Sequence, residues 1–100
     1  MKRALLVAVL LAGCAHGKAA TGVLVMHLAP GDARVLIDGE YIGSAGELSG
    51  HRLRMHVGVH RVEVGAEGYY AARREASIER DGNVQLDVKL HAVPDGERGN

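Results

Sequence analysis

The carboxy-terminal third of the chain contains a strict two-residue alternation that restricts the secondary structure it can form. Between residues 84 and 91, apolar and polar side chains take turns. The apolar positions are Val84, Leu86, Val88 and Leu90, and the polar ones are Gln85, Asp87, Lys89 and His91. Because successive side chains point to opposite faces of a strand, this pattern predicts a β-strand with one buried and one solvated face.

The same period of two recurs earlier in the chain. Residues 52–57 alternate arginine or histidine with leucine, methionine or valine, and residues 60–64 alternate as well. Residues 23–28 are apolar at nearly every position and predict a strand covered on both sides. Asp38-Gly39 and Asp81-Gly82 are strong hairpin signals. These segments predict strands separated by short turns.

Two stretches are less regular. Residues 71–80 predict a further strand, but a helix stays open there because alanine, arginine and glutamate favour helices. Residues 44–50 are rich in serine, alanine and glycine and predict a loop.

The turn positions for which a positive φ is expected are Gly39, Gly43, Gly58, Gly68 and Gly82. We therefore expect an all-β fold, a small antiparallel β-sandwich of about seven strands.

The amino-terminal segment does not show this alternation of apolar and polar residues. A basic start, Lys2 and Arg3, precedes an apolar run over residues 4–12, and Gly13 stands directly before Cys14. This plan is typical of a secretory signal peptide. The alternative of a transmembrane helix needs about 20 apolar residues, and polarity returns well before that length, at His16. Residues 1–13 are therefore predicted to be a cleaved signal peptide.

The four residues Leu-Ala-Gly-Cys that end at Cys14 resemble the lipobox of bacterial lipoproteins. The resemblance implies that the Cys14 thiol receives a diacylglyceryl group, that cleavage occurs before it, and that acyl chains such as palmitate anchor the protein. Ala15, in place of an aspartate, implies sorting to the outer membrane. The expected location is the cell envelope, with the domain on the periplasmic side or at the cell surface, and residues 14–21 form the lipidated cysteine and a short tether.

The charge balance bears on the class of partner. The chain carries 12 Lys and Arg against 12 Asp and Glu, and removal of residues 1–13 leaves ten basic against twelve acidic side chains. Such a chain produces no strong positive field, which argues against nucleic acid as a partner.

Its single cysteine has no disulfide partner within the chain.

Three stretches together resemble the PEGA domain, a small β-sandwich of bacterial and archaeal envelope proteins related in fold to transthyretin-like modules. They are Gly-Val-Leu-Val-Met from Gly22, Pro-Gly-Asp-Ala-Arg-Val-Leu-Ile-Asp-Gly from Pro30, and Gly-Val-His-Arg-Val-Glu-Val-Gly-Ala-Glu-Gly-Tyr from Gly58. Val57 replaces the family's proline before Gly58, and Ser-Ala replaces its Thr-Pro after Gly43. The resemblance implies a domain over residues 22–91, a flexible tail over residues 92–100, a packed Tyr69 and a non-catalytic role.

Three histidines that lie close in sequence, His51, His56 and His60, raise the possibility of a metal site. On strands, His56 shares a face with the arginines while His60 shares a face with Val62, so the three side chains are expected to diverge. No acidic or cysteine partner stands at ligand spacing. The sequence predicts no metal and no cofactor.

Catalysis is not expected either. The serines lack a nucleophile motif, and the only thiol, Cys14, is assigned to the lipid. The chain is therefore predicted not to be an enzyme.

Candidate partner contacts are the exposed aromatic and basic side chains Tyr41, Arg52, Arg54 and Tyr70. Arginines on an outward strand face suit anionic groups, while tyrosines suit sugars or protein surfaces. Two hypotheses follow: a lipid-anchored protein-interaction or structural module, and alternatively a module that binds peptidoglycan or another glycan.

Overall fold

The computed structural model describes residues 19–94 of the chain. The predictions for the signal peptide, for the lipid on Cys14 and for most of the tether concern residues 1–18 and lie outside the described residues, as do residues 95–100.

Seven strands and one short helix form the described part of the chain, which confirms the all-β prediction. The strands are β1 (Thr21–Ala29), β2 (Arg34–Ile37), β3 (Glu40–Ser44), β4 (Arg52–His56), β5 (Gly58–Gly65), β6 (Ala72–Ile78) and β7 (Asn83–Lys89), and the helix is α1 (Ala45–Leu48). The helical alternative for residues 71–80 is wrong, because that segment contains β6.

The strands form two sheets. One has three strands in the order β4-β1-β7, and the other has four in the order β3-β2-β5-β6. The four-stranded sheet is antiparallel throughout, whereas β1 pairs antiparallel with β4 and parallel with β7. The predicted antiparallel sandwich therefore has one parallel pairing, which joins the first and the last of the described strands.

The core lies between the two sheets. Its largest fully buried side chains are Leu24, Met26, Val35, Val62, Val64, Ile78 and Val88. The side chains alternate along each strand as the sequence predicted: Leu53 and Met55 pack against the core, while Arg52 and Arg54 are exposed. Burial of such aliphatic side chains contributes about 1.5–3 kcal/mol each to folding.

The helix α1 corrects the prediction of a loop over residues 44–50. Ser44 caps it: its hydroxyl accepts from the Glu47 amide, and the Glu47 carboxylate accepts from the Ser44 amide at 2.9 Å. This capping box satisfies two amide groups that a short helix leaves without partners. Ala45 is fully buried there.

Two smaller expectations also differ from the structure. Gly39, Gly43, Gly58 and Gly68 have positive φ as predicted, but Gly82 does not, and the left-handed residue of that turn is Asp81, with a φ of 57°. Tyr69 is 36% exposed and not packed in the core. It bridges to Ala92, and the Val93 amide donates to the Gly68 carbonyl at 2.9 Å, so ordered hydrogen bonding continues beyond His91.

Candidate interaction surfaces

Arg52 and Arg54 lie together on the outer face of the three-stranded sheet, on its edge strand β4. In the β1–β4 register, Arg54 is opposite Val23 and Arg52 is opposite Val25. These two valines point outward yet are only 9% and 7% exposed. Long arginine stems cover apolar surface while their charged heads stay in water. The two arginines flank these valines on the β4 side, and Asn83 and Gln85 flank them on the β7 side.

The same arginines carry charge that the register does not neutralise. Their cross-strand neighbours are the two valines, and Arg54 donates a hydrogen bond to the neutral Thr21 hydroxyl at 3.3 Å. Two guanidinium groups are thus available on this face for an anionic group.

Tyr41 lies on the other side of the sandwich. It is opposite Leu36 on the outer face of the four-stranded sheet and is 48% exposed. The Arg34 guanidinium carbon lies 4.3 Å from the centre of its ring, a cation–π contact. One face of the ring is therefore already covered, which leaves less of it for stacking against a sugar.

Tyr70 occupies a third place, the loop between β5 and β6. It is 49% exposed, and its amide donates to the His91 carbonyl at 2.9 Å. The four predicted contact residues thus do not form one site: only Arg52 and Arg54 share a surface, while Tyr41 and Tyr70 each lie elsewhere.

An ion pair between Asp38 and His60, which the sequence analysis did not anticipate, joins the β2–β3 turn to β5. His60 Nδ1 lies 2.6 Å from Asp38 Oδ2, and its Nε2 lies 2.7 Å from the His56 carbonyl oxygen. Both ring nitrogens therefore face oxygen acceptors, and only the protonated imidazole can donate to both. Asp38 also accepts from the Arg61 amide at 2.9 Å.

These contacts shift both titrations in the directions expected of an ion pair. The hydrogen bond to Asp38, and then that to the His56 carbonyl, raise the pKa of His60 above its ordinary value, against a smaller opposing effect of burial. The hydrogen bond from the Arg61 amide, followed by that from His60, lowers the pKa of Asp38. The His60 side chain is only 14% exposed, so its contacts are partly shielded from water.

The histidines do not come together as metal ligands. His60 points inward to Asp38, whereas the His56 side chain is exposed. Within residues 19–94, no group of three histidine, cysteine, aspartate or glutamate side chains is placed to hold a metal ion. The described residues also contain no helix that is long and apolar enough to cross a membrane.

An open groove of about 430 Å³ runs between β4 and the β2–β3 hairpin. Its apolar lining comes from both sheets and from α1, and consists of Ile37, Ile42, Leu48, Leu53 and Met55. Its polar lining includes the ion pair and consists of Asp38, Glu40, Arg54, His56 and His60. Ile42 is 37% exposed, so part of the apolar surface between the sheets is open to solvent at this edge.

The family model of the PEGA domain matches residues 21–94, which is nearly the whole described part of the chain. The chain belongs to the PEGA domain family. The two sheets and the groove therefore all lie within the PEGA domain, and its first strand starts at the first matched residue, Thr21. Comparison with curated proteins finds no match.

The sequence could have indicated one part of these surfaces. The arginines of β4 follow from the alternation, but the Asp38–His60 pair depends on the register of β2 against β5, in which Ile37 is opposite Val62. The groove likewise depends on how the two sheets stack. Neither feature has a signal within a single segment of the sequence.

Proposed function

We propose that this protein is a lipid-anchored component of the bacterial cell envelope whose PEGA domain acts as a non-catalytic protein-interaction or structural module. The observation that carries the proposal is the order of features along the chain: a Leu-Ala-Gly-Cys sequence that resembles a lipobox and ends at Cys14, a few further residues, and a PEGA domain that begins at Thr21. A flexible chain of that length spans on the order of 15 Å, so the domain would lie close to the lipid surface.

Lipid attachment at Cys14 would be strong enough to need no further membrane contact. Each buried methylene of an acyl chain contributes about 0.8 kcal/mol, and two or more chains give stable anchoring where one gives only marginal binding. Ala15 supports sorting to the outer membrane, on the periplasmic side or at the surface.

The geometry of the domain supports binding rather than catalysis. Asp38 and His60, the pair with shifted pKa values, also form hydrogen bonds with backbone groups. Asp38 accepts from the Arg61 amide and His60 contacts the His56 carbonyl, so the pair links the β2–β3 turn, β5 and the end of β4. The groove beside β4 is lined mainly by aliphatic side chains, which suits an apolar side chain of a partner.

The experiment is fractionation of cells that express the full chain with Cys14→Ala. The variant should leave the membrane fraction, whereas Ala19→Ser, a matched change in the tether outside the lipobox, should remain there. Retention in washed membranes of Cys14→Ala from which residues 1–13 have been removed, as checked by its mass, would contradict the anchoring proposal.

Binding to peptidoglycan is the alternative, and the arginines of β4 are the feature that favours it. The separate positions of Tyr41 and Tyr70 do not provide a shared sugar platform with them. Incubation of the protein with purified sacculi separates the two: the interaction-module proposal expects no retention, and retention that Arg52→Ala and Arg54→Ala abolish would replace it with the glycan alternative.

A further inference from the structure

The sheet formed by β4, β1 and β7 has three strands, one fewer than the sheet against which it packs. Its edge strand β4 faces β2 and β3 across the groove, and the half-buried side chains Leu53 and Met55 line it from one side, while Ile42 lines it from the other. A strand placed beside β4 would make both sheets four-stranded and would cover this apolar surface.

The backbone of β4 is oriented to receive such a strand. The Val57 amide donates to the Ala20 carbonyl at 3.1 Å, in the same register that pairs Met55 with Gly22. Because an antiparallel ladder alternates, Leu53 and Met55 then direct their backbone groups to β1, and Arg52, Arg54 and His56 direct theirs to the open edge.

One contact in the domain agrees with this orientation. The His56 carbonyl, at the end of the open edge, accepts from His60 Nε2 at 2.7 Å. The ion pair of His60 with Asp38 thus closes one end of the edge, and the backbone groups of Arg52 and Arg54 mark the length over which a partner strand can pair.

The side chains of β4 specify the chemistry of the partner. Residues opposite Arg52 and Arg54 in an added strand share the outer face, where opposite charges directly across a strand pair stabilise it and like charges destabilise it. Residues opposite Leu53 and Met55 point into the apolar groove. A second β4 from another copy is disfavoured, because arginines would then lie against arginines.

We propose that β4 binds an extended segment of a partner protein in which acidic and aliphatic side chains alternate, adding a fourth strand to the three-stranded sheet and filling the groove with the aliphatic side chains. This inference rests on the proposed function as an interaction module and names the class of partner. Recognition by strand addition takes affinity from main-chain hydrogen bonds and specificity from alternate side chains.

The test uses the full chain, purified from whichever cell fraction contains it and, if that is the membrane, reconstituted in nanodiscs of zwitterionic lipid. The probe is a fluorescent, terminally blocked octapeptide of alternating valine and glutamate, followed by anisotropy. The comparison peptide alternates valine and lysine. We expect the glutamate peptide to bind about fivefold or more tightly than the lysine peptide.

Variants locate the site. Arg54→Glu should weaken binding of the glutamate peptide about fivefold and should reverse the preference toward the lysine peptide. Lys89→Glu is the matched control, since Lys89 is an exposed residue on the outer face of the opposite edge strand, β7. It should leave both affinities within about twofold.

A second pair of variants tests the groove without touching β4. Ile42→Ser should weaken both peptides about threefold, because their valines lose an apolar neighbour. Val59→Ser removes the same kind of surface from a 63% exposed position outside the groove and should change neither. Circular dichroism of each variant checks that the fold is retained.

Several results would overturn the inference. These are equal affinity for the two peptides, an unchanged preference in Arg54→Glu, or displacement of the peptide by decanoate, which would show that the groove takes an acyl chain. Each leaves the fractionation of Cys14→Ala unaffected, so failure of this inference is distinguishable from failure of lipid anchoring.

Discussion

The two sheets of this domain differ in the cross-strand neighbours of their exposed arginines. Across β5 and β6 of the four-stranded sheet, Arg61 is opposite Glu75 and Glu63 is opposite Arg73, so charges of opposite sign face each other within the chain. On the three-stranded sheet, Arg52 and Arg54 are opposite valines, and the edge strand that carries them borders an open groove.

This difference concerns which exposed charges have a charged neighbour within the chain. On the four-stranded sheet, charges of opposite sign lie directly across a strand pair, an arrangement that stabilises the pairing. On the three-stranded sheet, the cross-strand neighbours of the β4 arginines among the described residues carry no charge. The comparison predicts that changes in the inner face of the three-stranded sheet affect stability strongly, because this sheet has fewer strands to hold it.

The largest expected effect compares one leucine from each sheet. Leu24 is fully buried on the inner face of β1, and Leu36 is half-buried on the outer face of β2. Leu24→Ala should lower the free energy of unfolding by about 3 kcal/mol through lost burial and a cavity, against about 1 kcal/mol for Leu36→Ala. Urea denaturation measures both, and equal losses would contradict the assignment of Leu24 to the core.

The next effect compares two glycines. A Cβ at Gly22, in β1, would meet Ile78 Cγ2 at 2.8 Å and would press on the Glu79 carbonyl oxygen, while at Gly65, in β5, it would meet nothing within 4 Å. Gly22→Ala should destabilise by about 1–3 kcal/mol. Gly65→Ala should be neutral or stabilise by less than about 1 kcal/mol. Thermal unfolding of the two variants is the measurement, and a tolerated Gly22→Ala would mean that β1 and β6 lie farther apart.

The smallest effect is the pH dependence that the Asp38–His60 pair gives to the four-stranded sheet. The raised pKa of His60 contributes stability below its ordinary value of 6.5, and this contribution is lost as pH rises through the raised value. The lowered pKa of Asp38 contributes stability above its ordinary value of 3.8, and this contribution is lost at lower pH. The pair should therefore stabilise most between those two values.

The measurement is the urea midpoint of His60→Gln between pH 5 and pH 8. The wild-type protein should lose stability across the upper part of that range, and the variant should show a smaller loss. His27→Gln, the same change on the other sheet, is the control. Equal slopes in the wild type and in His60→Gln would show that the pair does not contribute.

Much of the fold was predictable because it is local. The alternation assigned the inner and outer faces of β4 and β7, and Asp38-Gly39 marked the β2–β3 hairpin with two residues of positive φ, 53° and 84°. The short helix α1 had a readable signal as well, the Ser44 and Glu47 spacing of a capping box, which the prediction of a loop overlooked.

The remainder depended on distant pairings. The parallel alignment of β1 with β7, the contact of His60 with Asp38, and the groove all join segments that no local pattern connects. The candidate contacts show the same limit. Exposure of Tyr41, Arg52, Arg54 and Tyr70 agrees with their predicted outward positions, but their distribution over three surfaces follows from sheet stacking alone.

The parallel pairing of β1 with β7 has a mechanical consequence. Seven residue pairs, from Val23 with Asn83 to Ala29 with Lys89, hold the two strands side by side in the same direction. Tension between the start of β1 and the end of β7 would slide the strands along each other, so that it loads their whole ladder at once instead of opening it one bond at a time. A domain tethered by its first strand and pulled by a partner at its last would resist extension in this shearing geometry.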